Sequence, residues 1–155
     1  MKSLLATALI LGLAPAAMAA EINVTFAPEF AEKLSEDYGE KEGEYLAGQV
    51  RKDLERAIAK EGIDAARIEV TILDAKPSRP TFKQAGDTPG LDVFRSVSVG
   101  GMKLEAVTYD ASGAASEPFA YKWYENDIRQ AGITTWQDAR RASSRFASRY
   151  VKELN

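Results

Sequence analysis

The chain has 155 residues, with 20 basic and 23 acidic side chains, a formal net charge of −3, and neither cysteine nor histidine. That composition excludes disulfides and the Ser-His-Asp and Cys-His catalytic groupings, and it leaves zinc, copper and haem without their usual ligands, so no metal or cofactor is expected. The acidic balance argues against nucleic acid as a partner.

Residues 1–19, MKSLLATALILGLAPAAMA, read as a secretory signal peptide, with Lys2 as the charged n-region, Leu4 to Leu13 as the apolar h-region and Ala17-Met18-Ala19 as the cleavage site. The apolar run is too short to cross a bilayer core of ~30 Å as a helix. No cysteine stands beside the cleavage site, so a lipid anchor is not expected. The mature chain is therefore expected to begin at Ala20 or Glu21, in the periplasm or outside the cell, as a single domain over residues 20–155. Nothing later approaches the roughly 18 uninterrupted apolar residues of a membrane helix.

INVTF alternates Ile22, Val24 and Phe26 against Asn23 and Thr25, the period of a strand with one buried face. Leu46, Val50, Leu54, Ala57 and Ile58 then recur as one stripe, predicting a helix over about residues 42–60 that stops at Gly62. RIEVTIL returns to alternation, with Ile68, Val70 and Ile72 facing one way. Lys76 to Leu91 carries three prolines and two glycines and reads as a long irregular loop, with Phe82 expected to pin it to the body. It lacks the spacing of a phosphate cradle.

VFRSVSVGGMKLEAVTYD reads as strand, with a bulge at Gly100-Gly101 where the apolar parity switches. DASG turns the chain back into SEPFAYKWYEN, completing a hairpin. The last helix, over about residues 136–154, is expected to use Thr135 as N-cap and to bury Ala139, Ala142, Phe146, Tyr150 and Leu154. The order β-α-β-β-β-α predicts an α+β domain: a mostly antiparallel sheet with two main helices packed on one face.

Several features are candidates for function. On the returning strand, Phe119, Tyr121 and Trp123 share the parity expected to face the core, while Lys122 and Tyr124 look outward toward solvent or a partner. Arg141, Arg145 and Arg149 stand in one row along the final helix. That row is either a solvated basic face or a site for anionic polymer, phospholipid headgroups or an acidic partner. In the loop, Arg79 beside Pro80, together with Phe82 and Lys83, complete the candidate partner-binding set. The carboxylates Glu36, Asp37, Glu40, Glu42 and Glu44 lack the order of a calcium loop and read as solvated. Glu125, Asp127 and Arg129 receive no catalytic role, because spacing alone gives no convergent geometry.

Two stretches, VTILDAKPSRPT (Val70 to Thr81) and SVGGMKLEAVTYDASG (Ser98 to Gly113), resemble small bacterial envelope proteins and lipoproteins of families of unknown function. The resemblance implies a periplasmic accessory or assembly role and supplies no catalytic residues. The missing anchor cysteine departs from the lipoprotein members. The resulting expectation is a non-enzymatic domain that binds another cell-envelope protein. The alternative is a glycan- or peptidoglycan-binding module using Tyr124, Trp123 and Trp136, followed by a carboxylate-based hydrolase.

Overall fold

A computed structural model describes residues 20–155; the expected leader, residues 1–19, lies outside the described residues. The first strand, β1 (Glu21–Phe26), leads into a short helix, α1 (Pro28–Lys33), continued by a turn of π-helix over Leu34–Tyr38. The long helix α2 (Glu40–Glu61) follows. It ends where the sequence places its stop: Gly62 takes a left-handed conformation (φ 66°, ψ 34°), and its N–H donates to the Ile58 carbonyl at 2.9 Å.

Strand β2 (Arg67–Lys76) runs parallel to β1 across this crossover, pairing Ile22 with Ile68 and Val24 with Val70. Strands β3 (Gly101–Tyr109) and β4 (Phe119–Tyr124) add antiparallel neighbours, giving one mixed four-stranded sheet in the order β1-β2-β3-β4. The final helix, α4 (Gln137–Glu153), packs against α2 and lies over β3 and β4. Two main helices thus cover one face, as the alternation in the strands requires.

The core forms where periodicity places it. Ile68, Val70 and Ile72 from β2 meet Met102, Leu104 and Ala106 from β3 beneath Leu46, Val50 and Leu54 from α2, all buried. Along α4, Phe146 and Tyr150 stack at 5.6 Å between ring centroids. Phe119 packs on both, at 6.1 and 5.3 Å, and Tyr121 lies 6.0 Å from Phe146. The Tyr150 hydroxyl, whose pKa burial pushes up, hydrogen-bonds Thr108. A second aromatic run links Phe26, Phe30, Tyr38 and Trp136 beneath the start of α2.

Four details differ from the sequence reading. The register break falls on β2, between Ile72 and Asp74, leaving Leu73 as the extra residue, so no bulge is needed at the glycine pair. Residues 93–100 are not strand; β3 begins only at Gly101. The irregular loop contains a short helix, α3 (Phe82–Asp87), closed by a capping box in which Thr81 and Gln84 satisfy each other's backbone N–H groups. Finally, α4 starts after Trp136 without a side-chain cap, so Thr135 does not serve as its N-cap.

Truncating Phe146 to Ala removes the ring on which three others pack and should lower stability by about 3–5 kcal/mol in denaturant unfolding. The exposed Glu55→Ala should stay within about 0.5 kcal/mol.

Candidate functional site

The segment between β2 and β3, residues 77–100, is fastened to the start of α4 through one carboxylate. Asp138 is wholly buried (0% exposed) in the first turn of α4. Its Oδ2 accepts from the Ser78 hydroxyl at 2.8 Å, the Gly132 N–H at 3.0 Å and the Gly100 N–H at 3.2 Å. Its Oδ1 accepts from Arg141 Nη1 at 2.8 Å. Burial raises the pKa of this acid, but the donors and the guanidinium outweigh it and hold the carboxyl below its ordinary range.

Both glycines are required by this close approach. A Cβ on Gly100 would sit 2.7 Å from the Lys76 carbonyl oxygen, and one on Gly132 would sit 2.9 Å from the Ser78 hydroxyl. Further bonds complete the fastening. The Ser78 N–H donates to the Thr135 carbonyl at 2.7 Å and the Ser98 N–H to the Ser78 carbonyl at 2.9 Å. Arg79 donates from Nη1 to the Phe94 carbonyl at 2.7 Å and from Nε to the Gly132 carbonyl at 3.4 Å. Asp92 folds the turn that carries Phe94, accepting from the Phe94 and Arg95 N–H groups, both at 2.8 Å.

Against this tied backbone the apolar side chains point outward. Phe82 is 80% exposed and Phe94 is 81% exposed, with Leu91 and Val97 also exposed on the same segment. This corrects the expected role of Phe82, which does not pin the loop: Ser78, Thr81, Pro77 and Pro80 are buried there instead. Lys83 pairs with Asp87 along α3.

The other candidate residues are scattered. Lys122 is exposed on β4, as its parity requires. Tyr124 shares that parity but is not free: its hydroxyl donates to Asp74 at 2.7 Å, and Asp74 also holds Lys33 at 2.9 Å. Its ring lies across Gly101, its partner in the sheet, which leaves the room for it. Burial and the Asp74 carboxylate push the Tyr124 hydroxyl well above the usual range. The arginine row is not a plain solvated face either. Arg141 is held by Asp138 and the Gln130 carbonyl, while Arg145 lies 4.2 Å over the Trp123 ring and Arg149 5.4 Å over Tyr121.

Trp136 is buried and donates its indole N–H to Glu42 at 2.6 Å. Trp123 is half-buried, with Arg145 4.2 Å over its ring and the core packed against it. Asp127 and Arg129 form an exposed ion pair that lowers the Asp127 pKa. Asp53, the other buried carboxylate, accepts from Ser143, Gln49 and Arg56. Neither buried acid is left free to act on a substrate. Among the described residues no cluster of acidic side chains is placed to hold a metal ion, and no helix is long and apolar enough to cross a membrane.

Compared with known proteins, the chain matches no protein-family model and no curated sequence. The Val70–Thr81 stretch contributes Ser78 to the fastening, and the Ser98–Gly113 stretch contributes Gly100.

Asp138→Asn replaces an acceptor by an amide facing three donors and should destabilise the protein by about 2–4 kcal/mol at pH 7. Because the folded pKa of Asp138 is depressed, its contribution is present above the unfolded value of about 3.9 and fades as pH falls through the folded value. The stability gap between wild type and variant should therefore narrow below about pH 4 in urea titrations; a gap that stays constant down to acid pH would contradict the assignment.

Proposed function

We propose that this protein is a non-enzymatic, exported domain that docks another cell-envelope protein through the 77–100 segment. The observation that carries the reading is the pair Phe82 and Phe94, at 80% and 81% exposure, on a backbone fixed by Asp138, Arg79 and Asp92. Large rings kept in water are costly to a monomer and typical of protein interfaces. A preordered backbone lowers the ordering cost on association, so such rings are suited to act as anchors in a partner's pockets. Export is supported by the leader-like residues 1–19.

The test is site-specific photocrosslinking in intact cells, with a photoreactive phenylalanine analogue at position 82 or 94 and, as control, at the exposed Tyr45. Discrete adducts of one mass at 82 and 94, and none at 45, are expected. A Phe82→Ser/Phe94→Ser double variant should unfold within about 1 kcal/mol of wild type, since neither ring is buried, yet lose copurification with the crosslinked partner. The intact mass of the cellular protein should correspond to a chain starting at Ala20 or Glu21. Adducts distributed equally over all three positions would defeat the docking reading, and a full-length cytoplasmic mass would defeat export.

A further inference from the structure

A furrow of about 540 Å³ runs between α2 and α4 on the side away from the sheet, with Lys52 and Arg56 on one wall and Arg140 and Arg141 on the other. Asp53 is the one carboxylate among its lining residues, and with Asp138 bonded to Arg141 from outside the lining the four cations still leave a local excess of two positive charges in a protein whose formal net charge is −3. Asp53 cannot neutralise the walls further. Its Oδ2 accepts from Ser143 at 2.7 Å and Gln49 at 3.0 Å, and its Oδ1 accepts from Gln49 at 3.1 Å and Arg56 at 3.3 Å.

The four cations fall into two kinds. Arg56 and Arg141 are oriented by buried carboxylates, Asp53 and Asp138. Each makes these bonds through Nη1, which leaves Nε and Nη2 of both guanidinium forks without a partner among the described residues. Lys52 and Arg140 have no acidic partner within ion-pair distance among the described residues. Like charges gathered this way repel one another and oppose the compact state, and packing does not explain them, since all four side chains are exposed.

We propose that the furrow is a binding site for a phosphate-bearing ligand, clamped between the guanidinium forks of Arg56 and Arg141 with Lys52 and Arg140 supplying the remaining charge. Phosphate fits better than carboxylate. One fork saturates a planar carboxylate, whereas a tetrahedral phosphoryl group presents oxygens to donors arriving from two walls. A second depression of about 370 Å³ adjoins the furrow, sharing Asp53, Arg56 and Ser144 with it and adding Lys60, Lys152 and Glu61. The ligand therefore has room for more than one anionic group. At the rim, Ile133 is 77% exposed, an apolar neighbour suited to the uncharged part of an amphipathic molecule.

Such a phosphate comes either free in solution or on a lipid headgroup, and the test separates the two. The mature chain is titrated at physiological salt with inorganic pyrophosphate, followed by amide chemical shifts. In parallel it is cosedimented with phosphatidylcholine vesicles with and without phosphatidylglycerol. Saturable shifts in residues lining the furrow, or cosedimentation that needs the anionic lipid, are expected, and which probe succeeds identifies the source. Lys52→Gln/Arg140→Gln should weaken binding at least tenfold. Lys41→Gln/Lys103→Gln, which makes the same charge change away from the furrow, should stay within twofold. Arg56→Lys keeps the charge and removes the fork, and should weaken binding by several-fold. Binding by neither probe, or equal weakening by both double variants, would overturn the proposal. None of these residues lies in the 77–100 segment, so the outcome is independent of the docking reading above.

Discussion

A carboxylate with no access to water must be surrounded by donors, and Asp138 meets that demand by drawing three separate parts of the chain onto Oδ2 while Arg141 takes Oδ1. Ser78 comes from the end of β2, Gly100 from the approach to β3, and Gly132 from the connection between β4 and α4. The sheet and helices pack through a core that includes Leu46, Leu104 and Phe146. Asp138 instead ties irregular parts together: both ends of the 77–100 segment, the approach to α4, and Arg141. A single buried charge thereby converts a proline- and glycine-rich stretch into a fixed surface.

The regular elements were legible because they bury stripes. Leu46, Val50 and Leu54 at helical spacing, and Ile68, Val70 and Ile72 at strand spacing, name their own partners, and all six are buried. The irregular parts were less legible, for three different physical reasons. The helix at Phe82 carried a readable signal, since Thr81 and Gln84 stand at capping-box spacing, but the surrounding prolines masked it. Tyr124 was read correctly for parity, yet its freedom depended on the residue across the sheet, and Gly101 leaves room for the ring to fold down toward Asp74. Asp138 stands three residues after Thr135, the spacing of a capping box, whereas its donor Ser78 lies 60 residues away and leaves no local trace. The arginine row was legible as a row, but its division between Trp123, Tyr121 and Asp138 was not, because that follows from where β4 and Gln130 lie.

The same economy governs the charged surface. An acidic chain maintains a cationic furrow because its countercharges lie beneath it: Asp53 and Asp138 each hold one arginine from below. Asp138 lowers the repulsion between the walls without lining the furrow, while Asp53, which does line it, has its oxygens taken up by Ser143, Gln49 and Arg56. The geometry also restrains the guanidiniums, which otherwise lose considerable rotamer freedom whenever they are fixed. The Ser143 hydroxyl, buried against Asp53, adds a polar tie between the two helices that form the walls.

The 60-residue separation between Ser78 and Asp138 has a consequence for the order in which the molecule assembles. Closing so long a loop is entropically unfavourable until other contacts have already brought its ends together. Here those contacts are α4 settling on β3 and β4. The outward-facing rings of the 77–100 segment are therefore set in position only when the C-terminal helix is home. A chain cut short before α4 has the same phenylalanines in its sequence but lacks the carboxylate that joins the two ends of their segment.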